Sequence, residues 1–286
     1  MHRILNFRTA SFVIAFSMIL FAACRPTQNN NPNPVDGDDN GGYASDASRI
    51  ELVNDDVISL ADAAGTLYNG AYMRTTHTTA LGTCAFVATD TNGDQHTLHI
   101  EFGDHDCKCL DGRLRRGDII IQYMGKYTDS LQTHTITFSN YFINGNELTG
   151  TIYVTRIDTT VVGNWYYQVT VNDTLNMSPD PLKSQLIAWN GTLVRQWITG
   201  FLTLDRSDDV FSISGNANLT RPNGHQYSFS ISAPLRIALG CDYTEAGVVN
   251  INGYNGARIL NYGGGACDNI AQVTIGLNVN QISLTK

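Results

Sequence analysis

Charge is scarce in this 286-residue chain: Asp, Glu, Lys and Arg together make up 15% of it, and glutamate occurs four times against 22 aspartates. So little charge in a chain that is 42% hydrophobic excludes a disordered polyampholyte, and no apolar run is long enough to cross a bilayer stably. Eighteen basic against 26 acidic side chains leave a net charge of −8, which excludes a general phosphate-neutralising nucleic-acid binder. GxSxG and HExxH are missing, as are paired CxxC knuckles, and no Lys-Ser/Thr follows the glycine-rich Tyr262–Ala266. These gaps remove the hydrolase elbow, the zinc protease, the zinc finger and the phosphate loop, so neither a cofactor nor a metal is expected. The polar remainder is Thr, Asn, Gly and Ser, the composition of turn-rich β proteins.

The N-terminus reads as an address. Arg3 and Arg8 precede an apolar run from Phe12 to Phe21 broken by Ser17, followed by Ala22, Ala23 and Cys24. FAAC resembles the lipobox of a bacterial lipoprotein, which implies cleavage after residue 23 and acylation of Cys24 by diacylglycerol and an amide-linked chain such as palmitate. More than one acyl chain suffices for stable membrane attachment. Residues 24–46 hold no branched apolar side chain but Val35 until the pattern changes, and read as a disordered tether.

Residues 47–286 are expected to form an all-β domain preceded by one helix. Ile50, Val53, Val57, Leu60, Ala61 and Ala64 recur at spacings of three and four, predicting an amphipathic helix of about four turns. Ser48 and Glu51 have capping-box spacing, and Gly65 is the expected stop. Beyond Thr78, runs rich in Thr, Val, Ile, Tyr and Phe alternate with turns. Thr133, Thr135 and Thr137 take one face of such a run, Ile136 and Phe138 the other. Asn92-Gly93, Asn144-Gly145, Asn190-Gly191 and Asn223-Gly224 carry the Asn-Gly hairpin signal. The expectation is a mostly β fold, an antiparallel sandwich or a wide twisted sheet, with the N-terminal helix packed on it. Ile100–Cys107 and Leu260–Cys267 echo each other, each preceded by another cysteine, which suggests two disulfide-closed hairpins or two related halves dividing near 157–165.

Setting Cys24 aside leaves five cysteines. The expected bridges are Cys241 with Cys267, and Cys84 with Cys107 or Cys109. His105, Cys107 and Cys109 form the sharper alternative, a soft-metal site with His99 and Cys84 nearby, and the spacing favours a disulfide turn. Asp90–Asp94, with Glu101 at the twelfth position, imitates a calcium loop but reads better as a hairpin. Arg113, Arg115 and Arg116 form a cationic cluster leading into a long strand. Trp189 and Trp197 are expected in the core, whereas the aromatic run Trp165, Tyr166 and Tyr167 could stack on sugar rings if exposed.

DGRLRRGDIIIQYMGKY, followed by THTITFSNYFINGNELTGT, resembles a widespread group of uncharacterised Bacteroidetes surface lipoproteins. The resemblance runs on through WNGTLVRQWITG, LRIALGC and LNYGGGACDN, and covers nearly the whole mature chain. Its marks are Cys107 and Cys109 before DGR, Trp197 in the RxW strand, and Tyr262 through Asn269. It implies no activity. It does imply the O-glycosylation pattern of that phylum, which Ser130, Thr159 and Thr174 match by following an aspartate. Together these features point to a lipoprotein of the cell envelope, anchored in the outer membrane and surface-exposed, with a non-catalytic structural or ligand-binding role. Its expected partners are the membrane and a glycan or protein, and not nucleic acid. The alternative is an envelope hydrolase acting on glycans or peptides, with carboxylates beside Trp165 or Trp189. A third reading, a carrier of hydrophobic ligands, requires a large apolar cavity.

Overall fold

The computed structural model describes residues 42–68, 81, 84–157, 165–177, 185–201, 203, 206–254 and 256–284. The signal segment, Cys24, the tether up to residue 41, and Thr159 lie outside the described residues. The helix α1 spans Gly42–Tyr68. Fourteen strands follow: β1 Phe86–Asn92, β2 Gln95–Glu101, β3 Cys107–Lys108, β4 Leu114–Met124, β5 Thr133–Ile143, β6 Asn146–Ile157 and β7 Tyr166–Asn176 make the first seven. The rest are β8 Leu186–Thr199, β9 Val210–Thr220, β10 Gln226–Ala238, β11 Ala246–Gly253, β12 Gly256–Gly264, β13 Ile270–Ile275 and β14 Asn278–Ser283. They form one antiparallel sheet whose spatial order follows the chain, with the short β3 pairing β4 off the main path. Of the two architectures expected, the wide sheet is the one observed. The sheet is continuous across β6 and β7, which pair from Glu147↔Asn176 to Ile157↔Tyr166.

Alternation explains why most of the strands form where they do, β7 above all. In β7, Tyr167, Val169, Val171, Asp173 and Leu175 are buried while the residues between them are open or half-open. The inward side chains do not meet a second sheet. They meet α1, which the sheet surrounds: Arg115 of β4, Arg195 of β8, Tyr227 of β10 and Arg258 of β12 all reach it.

That enclosure corrects three expectations about the helix. It is longer than predicted, taking in residues 42–46 of the expected tether, because Tyr43 stacks on Tyr227 at 5.0 Å beneath the guanidinium of Arg258. Ser48 does not cap it; its side chain is fully buried inside the helix, beside Tyr262. Nor is it amphipathic, since Asp46, Glu51, Asn54, Asp55, Asp56 and Ser59 are buried along with the apolar residues. A helix lined by partners on all sides has no solvent face to mark.

Gly65 does not end the helix either. A Cβ placed there would strike the Tyr127 ring, so the glycine serves a close approach. Three of the four Asn-Gly pairs do make hairpin turns: β1–β2, β5–β6 and β9–β10. Asn190-Gly191 instead lies inside β8, which runs unbroken from Ile187 through Trp189, Leu193 and Arg195 to Trp197 on one face. A turn would have broken that parity. Gly191 is needed there because a Cβ would meet the Cβ of Ala217 at 2.7 Å.

An exposed helical glycine gains about 1 kcal/mol on becoming alanine. Here the Tyr127 ring is held between His134, stacked at 4.0 Å, and Tyr123, edge-on at 5.3 Å, so it has nowhere to retreat. Gly65→Ala is therefore expected to destabilise the fold by about 1–3 kcal/mol, read as a lowered urea midpoint at unchanged slope.

Candidate functional site

The turn between β3 and β4 closes at Cys109–Arg113, where the Cys109 amide donates to the Arg113 carbonyl and the Arg113 amide to the Asp111 carboxylate. Period two then sends Arg113 and Arg115 to the same side, inward. Arg115 is fully buried and its Nη2 donates to both oxygens of Asp56 on α1, at 2.7 and 2.8 Å, and to Asp111 at 2.6 Å. Arg113 also donates to Asp56. Arg116, one residue on, faces out, pairs with Asp106 and covers the Phe142 ring. From the adjoining helix position, Asp55, and from Ser59 one turn on, the sheet takes a second arginine: Arg195 donates through Nε to Asp55 at 2.8 Å and through Nη2 to Ser59 at 3.0 Å, while its guanidinium lies 3.3 Å over Phe211.

The carboxylates of these pairs, with Arg113, line a cleft of about 70 Å³ between α1, the β3–β4 turn and the end of β10, bounded by Asp55, Asp56, Ser59, Asp111, Arg113 and Leu239. It has room for a few waters, far below the roughly 300 Å³ of a small-molecule pocket. Burial pushes Asp111 up, but the hydrogen bond and charge of Arg115, helped by Arg113, outweigh it and hold the carboxyl below its usual range. Burial pulls Arg115 down, and Asp56 and Asp111 more than compensate, so it stays charged. The cleft is thus a neutralised ion-pair network in which Asp111 is an acceptor and not a proton donor. An acid–base pair needs one carboxyl raised and open to substrate.

The raised carboxyls lie elsewhere: burial lifts Asp46 to about 6 and, with the facing Glu101, lifts the half-buried Asp118 on β4, and two more lie deeper. Burial, then the nearby Asp55, lifts Glu51 to about 8. Asp173 of β7, in register with Trp189 and facing α1, is lifted by burial with Asn54 beside it, and has no ion-pair partner among the described residues. The slots beside Glu51 measure about 20 and 10 Å³. They are closed to a substrate, and α1 occupies the room that a carrier of hydrophobic ligands would need.

The cysteines are paired as Cys84–Cys107 and Cys241–Cys267, each bridge tying the chain before a hairpin, β1–β2 or β11–β12, to the chain after it. Cys109 is the free thiol, buried, its Sγ 3.6 Å from the Cys107 carbonyl oxygen. The alternative metal set is therefore dismantled: Cys84 and Cys107 are spent on each other and His105 is exposed. Among the described residues one cluster has metal-ligand spacing, Cys241, Glu245 and Cys267, and its two sulfurs are bonded to each other. Asp90–Asp94 is the β1–β2 hairpin, with Glu101 paired to Phe86 at its far end. Trp189 and Trp197 are core; Trp165 is half-buried, edge-on to Trp197 and covered by Arg156 at 4.6 Å. Ser130 sits in the turn before β5, and Thr174 lies on the outward side of β7.

The arginine–aspartate network escaped the sequence reading, which took Arg113 and Arg115 as turn residues. A signal was present: of the 18 basic residues 14 are Arg and four are Lys, the bias expected where cations must be buried in pairs. Comparison of the chain with protein-family models, with curated proteins and with solved structures gave no match.

Removing one partner of a buried pair strands the other, so Arg115→Met is expected to cost about 3–5 kcal/mol in urea unfolding. Adding Asp56→Asn should restore part of the loss. A raised carboxyl holds in the folded state a proton that the unfolded chain releases. For Glu51 the resulting stabilisation is complete below about pH 4.5, declines as pH rises, and is gone above about pH 8. Asp111 acts oppositely, losing its contribution as pH falls through its lowered value. The thermal midpoint is thus expected to fall between about pH 5 and about pH 9, and Glu51→Gln to flatten that slope.

Proposed function

We propose that the chain is a lipid-anchored envelope lipoprotein held in the outer membrane through Cys24, and that its folded part is a structural or ligand-binding scaffold without catalytic chemistry. The observation that carries this reading is the use of the ionisable groups at the cleft beside α1. Asp55, Asp56 and Asp111 are bound by Arg195, Arg113 and Arg115, and they tie the helix to the sheet. The FAAC segment, the polar tract after it and the resemblance to Bacteroidetes surface lipoproteins supply the address. Two disulfides suit an oxidising envelope compartment. Ser130 and Thr174 remain candidate O-glycosylation positions, together with Thr159. Of the two described positions, Ser130 is the better placed for an enzyme acting on folded protein, because it lies in a turn and Thr174 is hydrogen-bonded into a strand flanked on both sides.

Membrane fractionation and intact-mass analysis of the natively expressed protein test the reading. The expected result is a membrane-bound species whose mass fits loss of residues 1–23, acylation of Cys24 and hexose-containing additions at Ser130 or its sister sites. Cys24→Ser should release the protein to the soluble fraction. A soluble, unacylated parent protein would overturn the anchor.

A further inference from the structure

The outward face of the sheet carries two adjacent rows of polar side chains that run across six strands. In the first, Thr151, Asn172, Asn190, Asn218, Ser228 and Asn252 stand in cross-strand register from β6 to β11. In the second, Tyr153, Thr170, Thr192, Asn216, Ser230 and Asn250 do the same. All but Thr151 are exposed, and none is a carboxylate, ammonium, guanidinium or imidazole. At about 4.8 Å per strand the rows extend roughly 24 Å. Exposed sheet faces ordinarily carry Lys, Glu and Arg to stay soluble. This one keeps solubility with amides and hydroxyls alone.

The face is also shaped. Asn190, Thr192, Asn216, Asn218, Ser228 and Ser230 line a trough of about 450 Å³ over β8, β9 and β10. At the strand ends just beyond it, the β9–β10 and β11–β12 turns bring His225 flat against Tyr254, ring centroids 4.1 Å apart, and Tyr254 is 66% exposed.

We infer that this face binds a neutral glycan chain, a reading that rests on the scaffold role proposed above and names its ligand. The chemistry selects among partners. An anionic polymer finds no cation on these rows and a protein of net charge −8 behind them. A lipid surface finds no apolar band. A protein partner expects a core of several aromatic and apolar anchors, where the rows offer Tyr153 alone. A hydroxyl-rich, uncharged chain finds side chains that each donate and accept hydrogen bonds, repeated across the strands in register with a polymer's repeating hydroxyls, and an aromatic surface at the trough's end for a sugar ring's C–H face.

Affinity electrophoresis of the full chain in gels containing dextran, galactomannan or xylan, with polygalacturonate as the anionic comparator, tests this. Retardation by at least one neutral polymer, insensitive to added salt, is expected, with none by polygalacturonate. Asn190→Ala with Asn218→Ala should weaken binding about tenfold, the loss of a few neutral hydrogen bonds, at an unchanged thermal midpoint, because both side chains point into solvent. Gln95→Ala, outside the rows on β2, should leave binding intact. No retardation by any neutral polymer, retardation by polygalacturonate alone, or equal binding by the Asn190/Asn218 variant would overturn the inference. A membrane-anchored protein that ignores all three polymers would sink it and leave the anchor standing, whereas a soluble, unacylated protein that binds them would do the reverse.

Discussion

An acidic helix inside a β-sheet is the constraint on which the rest of this structure depends. Asp55 and Asp62 project from one side of α1 toward Arg195, and Asp46 and Asp56 from others, into a wrapping sheet, and a carboxylate taken out of water unpaired costs several kcal/mol. The sheet answers from several points along its width: Arg113 and Arg115 from the β3–β4 turn and β4, Arg195 from β8, Arg221 from the β9–β10 turn. A buried ion pair contributes little net stability against an apolar core of the same shape. Its force is in what it forbids. Slipping β8 by one residue would turn Arg195 to solvent and leave Asp55 unpaired in the interior, so these pairs fix the register of each strand they touch.

A sheet built of sequential neighbours, save where β2 pairs β4 past the short β3, needs little else to specify its order. Every connection is local and short-range pairing suffices, so the long-range information resides in α1, which contacts strands far apart in the chain, and in the two disulfides. Those bridges lie toward the two ends of the sheet, over separations of 23 and 26 residues, each contributing about 3 kcal/mol on the chain-entropy model. One secures the edge hairpin β1–β2, where fewer neighbours hold the chain, and the other secures β11–β12, next to the terminal β13–β14 pair.

The strands were legible because period two survives in them almost undisturbed: Thr133, Thr135 and Thr137 face out and Ile136 faces in, as their alternation predicts. The cysteine spacing likewise confined the bridges to the pairings found, though it could not choose Cys107 over Cys109; Cys109 turns inward against Arg115, and that follows from the tertiary fold. The helix was misjudged for a physical reason. Ser48, Glu51 and Gly65 carry local signals for ends, and local signals are worth about 1 kcal/mol each, less than the packing of Tyr43 at one end and the Tyr127 contact at the other. Asn190-Gly191 shows the same hierarchy. Its dipeptide signal is strong, but the unbroken parity of Ile187, Trp189, Leu193 and Arg195 around it outranks it, and that parity was readable from the sequence.

The distribution of charge is inverted relative to an ordinary globular protein. Arginine, the cation best suited to buried bidentate pairing, is concentrated on the inward side and at the rim, while the outward rows of β6 to β11 hold amides and hydroxyls. The inward charges are explained by α1. The outward lack of charge has no such structural cause, since a lysine or glutamate at Asn190 or Asn218 would project freely into water and fold no worse. Ligand chemistry supplies the cause: each charged side chain placed among the ladder amides would have to be desolvated beneath a neutral hydroxyl-rich chain with nothing to pair it, a penalty of several kcal/mol. A face that recognises an uncharged polymer is best left without them.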